Sequence, residues 1–391
     1  MTIKQELIAR IARLSLYLFA FVFIIQHTIP VYINSSFLST IISEQLVGTV
    51  YIIGSILSIF SILILPHALR TFGLFRTCQV SLVLLIICNV TLALSINPTV
   101  LLGAFVFYMA ALAGVIVSID TLLEHYSNNK NTGSIRGTYL TIGNIAWLLG
   151  PFIAGRIVDG NEYWRAYAWA AILLILSLYI FSRLFAKYKD SKYTKTSLWK
   201  AFRKITKTDK DLARIFMSTF LLKFFFAWMV IYTPIYLNAH IGLSWEQIGF
   251  IIAMTLLAYP LLEKPLGILA DSHFGEKEIL SIGFIIIALS TGAISLINSN
   301  SVGLWIAVLF LTRVGASMVE ITTESYFFKK INGTSLTLIS LFRTLRPWAY
   351  IIGPLIASGF LLYFDLKYLF LLLGAIMLYG LRYSLTLKDT R

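Results

Sequence analysis

The chain has 391 residues, 58% of them hydrophobic and only 13% charged, with a mean hydropathy of +0.82. Soluble domains run nearer about 25% charged, and a bilayer-spanning helix needs about 20 apolar residues, so this length accommodates about twelve spans with short connections and no sizeable soluble domain. The net charge of +14 does not indicate a nucleic-acid partner, because the basic residues gather in alternate connections rather than on one amphipathic face.

Lys4, Arg10 and Arg13 precede a first apolar run, 13–33, that is too long for a signal-peptide core. No small-residue cleavage site follows it, so it is expected to remain as a span. Further spans are expected at 46–69, 75–96, 99–123, 135–158 and 164–185. Cys78 and Cys88 share one apolar run, at a spacing that gives neither a metal site nor a disulfide framework, and read as small hydrophobes.

From Lys187 to Arg214 the chain changes character, with ten Lys or Arg residues against three Asp. Such a block cannot enter a bilayer, where each charge costs several kcal/mol. It reads as a basic linker, 187–213, between an N-terminal bundle, 1–186, and a C-terminal bundle, 214–391. The second bundle is expected to span at 214–238, 247–268, 279–297, 302–327, 336–362 and 367–386.

Sidedness follows from Lys and Arg. Arg70 and Arg76, Lys130, the linker, Lys277, Lys329 and Lys330 fall in one set of connections, whereas the alternate connections near 34–45, 96–99, 239–246 and 298–302 have none. Both basic termini lie with the first set, so twelve spans with cytoplasmic ends are expected. The two halves also match in order. Pro30-Val31-Tyr32-Ile33-Asn34 corresponds to Pro234-Ile235-Tyr236-Leu237-Asn238, and Glu44-Gln45 to Glu246-Gln247. Asp120, Glu124 and Tyr126 correspond to Glu320, Glu324 and Tyr326, and the Gly150-Pro151 run to Gly353-Pro354. Four matches at nearly one offset argue for two parallel six-span repeats.

After the eighth span the chain reads Gly267-Ile268-Leu269-Ala270-Asp271-Ser272-His273-Phe274-Gly275-Glu276-Lys277. This resembles the short cytoplasmic loop signature of the major facilitator superfamily, with one extra residue between Asp271 and Gly275. The loop after the second span, Pro66 to Arg76, keeps only Gly73 and a basic residue. The resemblance implies an all-α polytopic membrane protein, the MFS fold, with twelve transmembrane helices in two pseudo-symmetric six-helix bundles. It also implies that Asp271 helps clamp the cytoplasmic face; an ordinary turn with a solvated Asp is the alternative. Gly150-Pro151-Phe152-Ile153-Ala154-Gly155 is similar to a fifth-span motif of antiporters in this superfamily, with Ala154 in place of a glycine. Tight packing by small residues explains the run equally well.

Ionisable groups inside spans mark function. Lys223 lies mid-span before Phe224-Phe225-Phe226 and Trp228. Arg313 and Glu320 are seven residues apart, close to two turns, and so share a helix face. Arg343 and Arg346 stand one turn apart before Pro347 and Trp348, and the first half offers His27, Gln26, Asn144 and Trp147 at matching depths. Two readings stay open. Arg313 and Glu320 form a buried pair that fixes helix register, or Lys223 and the arginines line a positive cavity for an anionic or polyhydroxyl solute. In the second, Glu320 carries a proton, since burial favours the neutral carboxyl and a nearby cation the charged one. Asp120, Glu124 and Arg136 read as cytoplasmic gate ion pairs, and Glu263 and Lys264 as partners beside Asp271. Trp147, Trp228, Tyr232 and Trp348 suit many ring-bearing solutes. Gly267, Gly275 and Lys277 belong to the gate loop, and Gly150, Pro151, Gly155, Gly353 and Pro354 to helix packing.

The expected function is secondary active transport of a small polar or anionic solute by alternating access, coupled to protons or another ion. The partners are that solute, the coupling ion and the lipid bilayer, with no cofactor or metal and a monomeric chain in a bacterial-type inner membrane. No phosphate-cradling Gly-Lys-Ser/Thr loop occurs, and no paired acids, metal-ligand cluster or nucleophile with its base points to an enzyme. A transport-inactive sensor or scaffold, or a lipid-handling protein on the same fold, is the alternative.

Overall fold

The structure, a computed structural model, describes residues 3–125, 132–186, 209–262, 265–266, 275–331 and 336–388. The described residues are helical throughout, apart from turns and short connections. The N-terminal half runs through α1 (Ile3–Val31), short α2 (Asn34–Ser39), α3 (Glu44–Leu94), α4 (Pro98–His125), α5 (Thr132–Ile157) and α6 (Trp164–Leu184). The C-terminal half runs through α7 (Lys210–Ile235), a π-turn at Tyr236–His240, α8 (Trp245–Leu256), α9 (Glu276–Ile294), α10 (Val302–Ile331), α11 (Leu336–Leu361), α12 (Leu366–Leu378) and α13 (Leu381–Ser384). Among the described residues, ten segments are long and apolar enough to cross a bilayer. The 26-residue α5 and α11, which occupy equivalent places in the two repeats, fall outside that set.

Two spans expected as separate elements form one interrupted helix. α3 runs from Glu44 to Leu94 with a single break at Gly73, at φ 77 and ψ 164. That left-handed conformation is open to glycine at little cost and penalises a side chain. The Thr77 hydroxyl donates to the Gly73 carbonyl at 2.7 Å and ties the second helix to the turn.

A second difference lies at the linker's end. α7 begins at Lys210, four residues before the expected 214, because the Asp209 carboxylate caps it by accepting from the amides of Asp211 and Leu212 at 3.0 and 3.1 Å. An N-cap carboxylate satisfies donors that the first turn leaves orphaned, so Lys210 and Asp211 are helical charges rather than linker. Residues 187–208 lie outside the described residues.

The chain divides into two compact units, residues 1–41 with 53–195, and residues 42–52 with 196–391. In the first, α1 packs against α5 and α6. Leu16, Phe19, Ala20 and Phe23 meet Phe181 and Phe185, and the Phe19 and Phe181 rings lie 5.1 Å apart. α2 occupies part of the expected 34–45 connection and is mostly buried, with the Tyr167 hydroxyl donating to Asn34 Oδ1 at 2.8 Å.

In the second unit α9 packs against α10 and α12, and α7 against α11. α9 and α10 approach most closely at Gly283 and Gly315, where a Cβ on Gly315 would stand 2.7 Å from the Gly283 carbonyl oxygen. Residues 42–52 belong to this unit through Gly48, whose added Cβ would lie 2.8 Å from both the Tyr232 and Ser358 hydroxyls. Outward surfaces on both units are apolar, with Ile64, Phe107 and Leu289 each more than 60% exposed. Faces of that kind suit lipid, not water.

Candidate solute and proton site

The charged residues of the second unit meet on the facing sides of α7 and α10. Gly315 turns one side of α10 toward α9. Arg313, two residues earlier and so about 200° around the helix, therefore projects the other way, toward α7. Glu320 follows Arg313 by seven residues and shares that side. It accepts a hydrogen bond from Lys223 Nζ at 2.7 Å, and the two side chains are 20% and 24% exposed, with Lys223 first.

Arg313 is not the partner of Glu320. Seven residues set the two about 10.5 Å apart along the axis, beyond the reach of an ion pair without bending both side chains toward each other. Arg313 instead lays its guanidinium over Phe225 and Phe226, with Cζ 5.4 and 5.9 Å from their ring centroids. It is 5% exposed, and its Nε has no hydrogen-bond partner among the described residues. Contact with an aromatic face returns about 0.5–2 kcal/mol, less than the several kcal/mol that an uncompensated buried ion costs. Lys223 Nζ also lies 5.2 Å from the Phe226 centroid, so both cations use one ring.

Trp228 and Tyr232, candidates for the solute path, are 1% exposed and serve as packing surfaces in this state. Trp228 Nε1 stands 3.0 Å from where a Cβ on Gly353 would be, and Tyr232 meets Gly48. Arg343 and Arg346 stay accessible on α11, and Arg346 lies 5.8 Å from the Tyr350 ring centroid.

The first unit holds an aromatic cluster around His27. His27 Nδ1 and the Tyr108 hydroxyl are 2.7 Å apart, and the Trp147 ring stands edge-on to His27 at 5.8 Å. Tyr32 meets the same tryptophan at 6.5 Å. Gly150 allows this approach of α5 to α1, because any side chain there would collide with Thr28, whose hydroxyl donates to the Ala146 carbonyl at 3.0 Å. Pro151 and Gly155 continue α5, and Pro354 continues α11. Asn144 is half-buried in α5. Gln26 is fully buried with neither amide atom hydrogen-bonded among the described residues.

Glu263, Gly267 and Asp271, expected at the gate, lie outside the described residues. Asp120 is half-buried in α4, which also carries Glu124, and Arg136 is in α5. The Gly275 amide donates to Glu278 Oε2 at 3.3 Å at the start of α9, and Lys277 sits half-buried in that first turn. Two residues outside the expected set contribute to these clusters: Phe226, whose ring Arg313 and Lys223 share, and Tyr108, which meets His27. Their signal in the sequence was weak, because neither is a charge in mid-span.

Described residues that are helical, with bilayer-length segments and an ion pair inside them, define a polytopic membrane protein. The Major Facilitator Superfamily model matches residues 14–322 and again 215–387, and the chain belongs to that superfamily. It is an integral membrane secondary transporter and not an enzyme. No curated protein matches its sequence. Among solved structures it is similar to a point mutant of the nucleoside transporter NupG, at 14% identity and a TM-score of 0.77, covering 96% of this chain and 99% of the other. At that identity the likeness shows the fold alone.

Proposed function

We propose that the protein moves a small polar or anionic solute by alternating access, coupled to protons at Glu320. The observation that carries this reading is the 2.7 Å Lys223–Glu320 pair between α7 and α10. A proton on Glu320 removes the charge that holds Lys223, and a freed ammonium ion then needs another anion or a different helix arrangement. Binding a proton thereby biases one conformation over another, which is all that coupling requires. In this reading the chain works as a monomer in a bacterial-type inner membrane, with both termini and the basic linker in the cytoplasm.

Uptake by purified protein in vesicles under an imposed pH gradient tests the coupling. Glu320→Gln is expected to bind and exchange solute but to lose proton-driven accumulation. Normal accumulation by well-folded Glu320→Gln ends the proton role of this residue, and Asp120 becomes the next acid to test.

A neutral ring-bearing solute is the second reading. The His27, Tyr108 and Trp147 cluster favours it, because it offers hydrogen-bonding groups beside an aromatic edge and contains no Lys, Arg, Asp or Glu. The NupG likeness makes nucleosides the first compounds to screen.

A further inference from the structure

We infer that Arg313 is the docking point for an anionic group, a carboxylate or a phosphate, on a solute with a flat apolar body. The inference rests on the transporter reading above and narrows its substrate class.

Charge balance comes first. In the mid-span part of α7 and α10, the described charged side chains are Lys223, Arg313 and Glu320, and the single carboxylate is taken by Lys223 at 2.7 Å. The guanidinium of Arg313 is left over, 5% exposed and without an ion pair among the described residues. Other charges on elements packed against α10 sit at helix ends. Glu246 is in the first turn of α8, and Glu276, Lys277 and Glu278 open α9. On α10 itself the next acid after Glu320 is Glu324, eleven residues from Arg313 and so about 16 Å along the axis.

The geometry then selects the ligand. Phe225 and Phe226 cover part of the guanidinium and leave its Nε hydrogen unclaimed. A guanidinium presents donors in a planar fork that fits two oxygens of a carboxylate or phosphate. The part-exposed Phe226 ring provides an apolar surface for the body of the solute, with the buried Phe225 ring behind it. The site thus combines a donor fork and an aromatic surface around an uncompensated positive charge.

The test uses purified full-length protein in lipid nanodiscs, with four probes that share one ring: benzoate, phenyl phosphate, benzamide and benzylamine. Thermal stabilisation and calorimetric titration read binding without any gradient. At least one anion is expected to raise Tm while benzamide and benzylamine do not, and the better anion distinguishes carboxylate from phosphate. Arg313→Gln is expected to weaken the anion's affinity by roughly tenfold or more, Arg313→Lys by less, since it keeps the charge and loses the fork. Equal stabilisation by benzamide, no response to either anion, or unchanged anion affinity in folded Arg313→Gln overturns the inference. The probe series runs on wild type, so a variant that misfolds leaves the test intact. Anion binding with no proton-driven uptake would remove the coupling reading and leave this site standing.

Discussion

Lys223 and Glu320 are a case where the worth of a contact depends on what remains when it is cut. Removing Lys223 alone leaves a carboxylate between two helices, and for fully buried pairs that loss costs about 3–5 kcal/mol. Both side chains keep some exposure, so Lys223→Met is expected to cost less than that range. Lys223→Met combined with Glu320→Gln should recover most of the loss, as read from thermal unfolding of the same variants in detergent. A double change no more stable than Lys223→Met alone would show that the two charges act independently. The sequence carried the depth of these charges and the shared side of Arg313 and Glu320, both consequences of helical period. It did not carry the rotation of α7 relative to α10, and so the pairing of Glu320 with Lys223 rather than Arg313 became visible only when the helices were placed together.

Helix contacts divide the glycines into those that packing requires and those it does not. Any side chain at Gly150 would collide with Thr28 of α1, while a Cβ on Gly103 in α4 would have no atom within 4 Å. Gly150→Ala should therefore force α1 and α5 apart and lower stability by about 1–3 kcal/mol, the usual cost of overpacking. Gly103→Ala should be neutral or stabilising by up to about 1 kcal/mol through helix propensity. Comparable losses in both variants, measured by thermal unfolding, would remove the packing explanation of the Gly150-Pro151 run. The repeat made this run legible, because Gly353 similarly lies against Trp228 of α7. Short α2 and the π-turn at Tyr236–His240 were not legible. Both lie in connections whose polar residues signal a break in a span but not the buried turn that Asn34 and Tyr167 make, or the stacking of Tyr236 on His240 at 5.8 Å.

At the scale of the whole molecule, the apolar runs and their alternating basic connections were enough to read a polytopic helical membrane protein, and the carrier reading came from the resemblance of the Gly267–Lys277 loop. Orientation rests on charge alone. A lysine or arginine in a short connection is held on the cytoplasmic side during insertion, so the near-complete absence of basic residues around 298–302 and their density in 187–213 predict opposite sides. The prediction is tested with Cys78 and Cys88 both replaced by alanine and single cysteines introduced as Lys195→Cys or Asn300→Cys. A membrane-impermeant maleimide added outside intact cells should label the cysteine at position 300 and not that at 195, and inverted vesicles should reverse the result. Labelling of both from outside would mean an even number of crossings between them in place of the three expected from 214–238, 247–268 and 279–297, and it would also place the basic linker, and with it the Asp209 cap of α7, on the wrong side for a carrier with cytoplasmic ends.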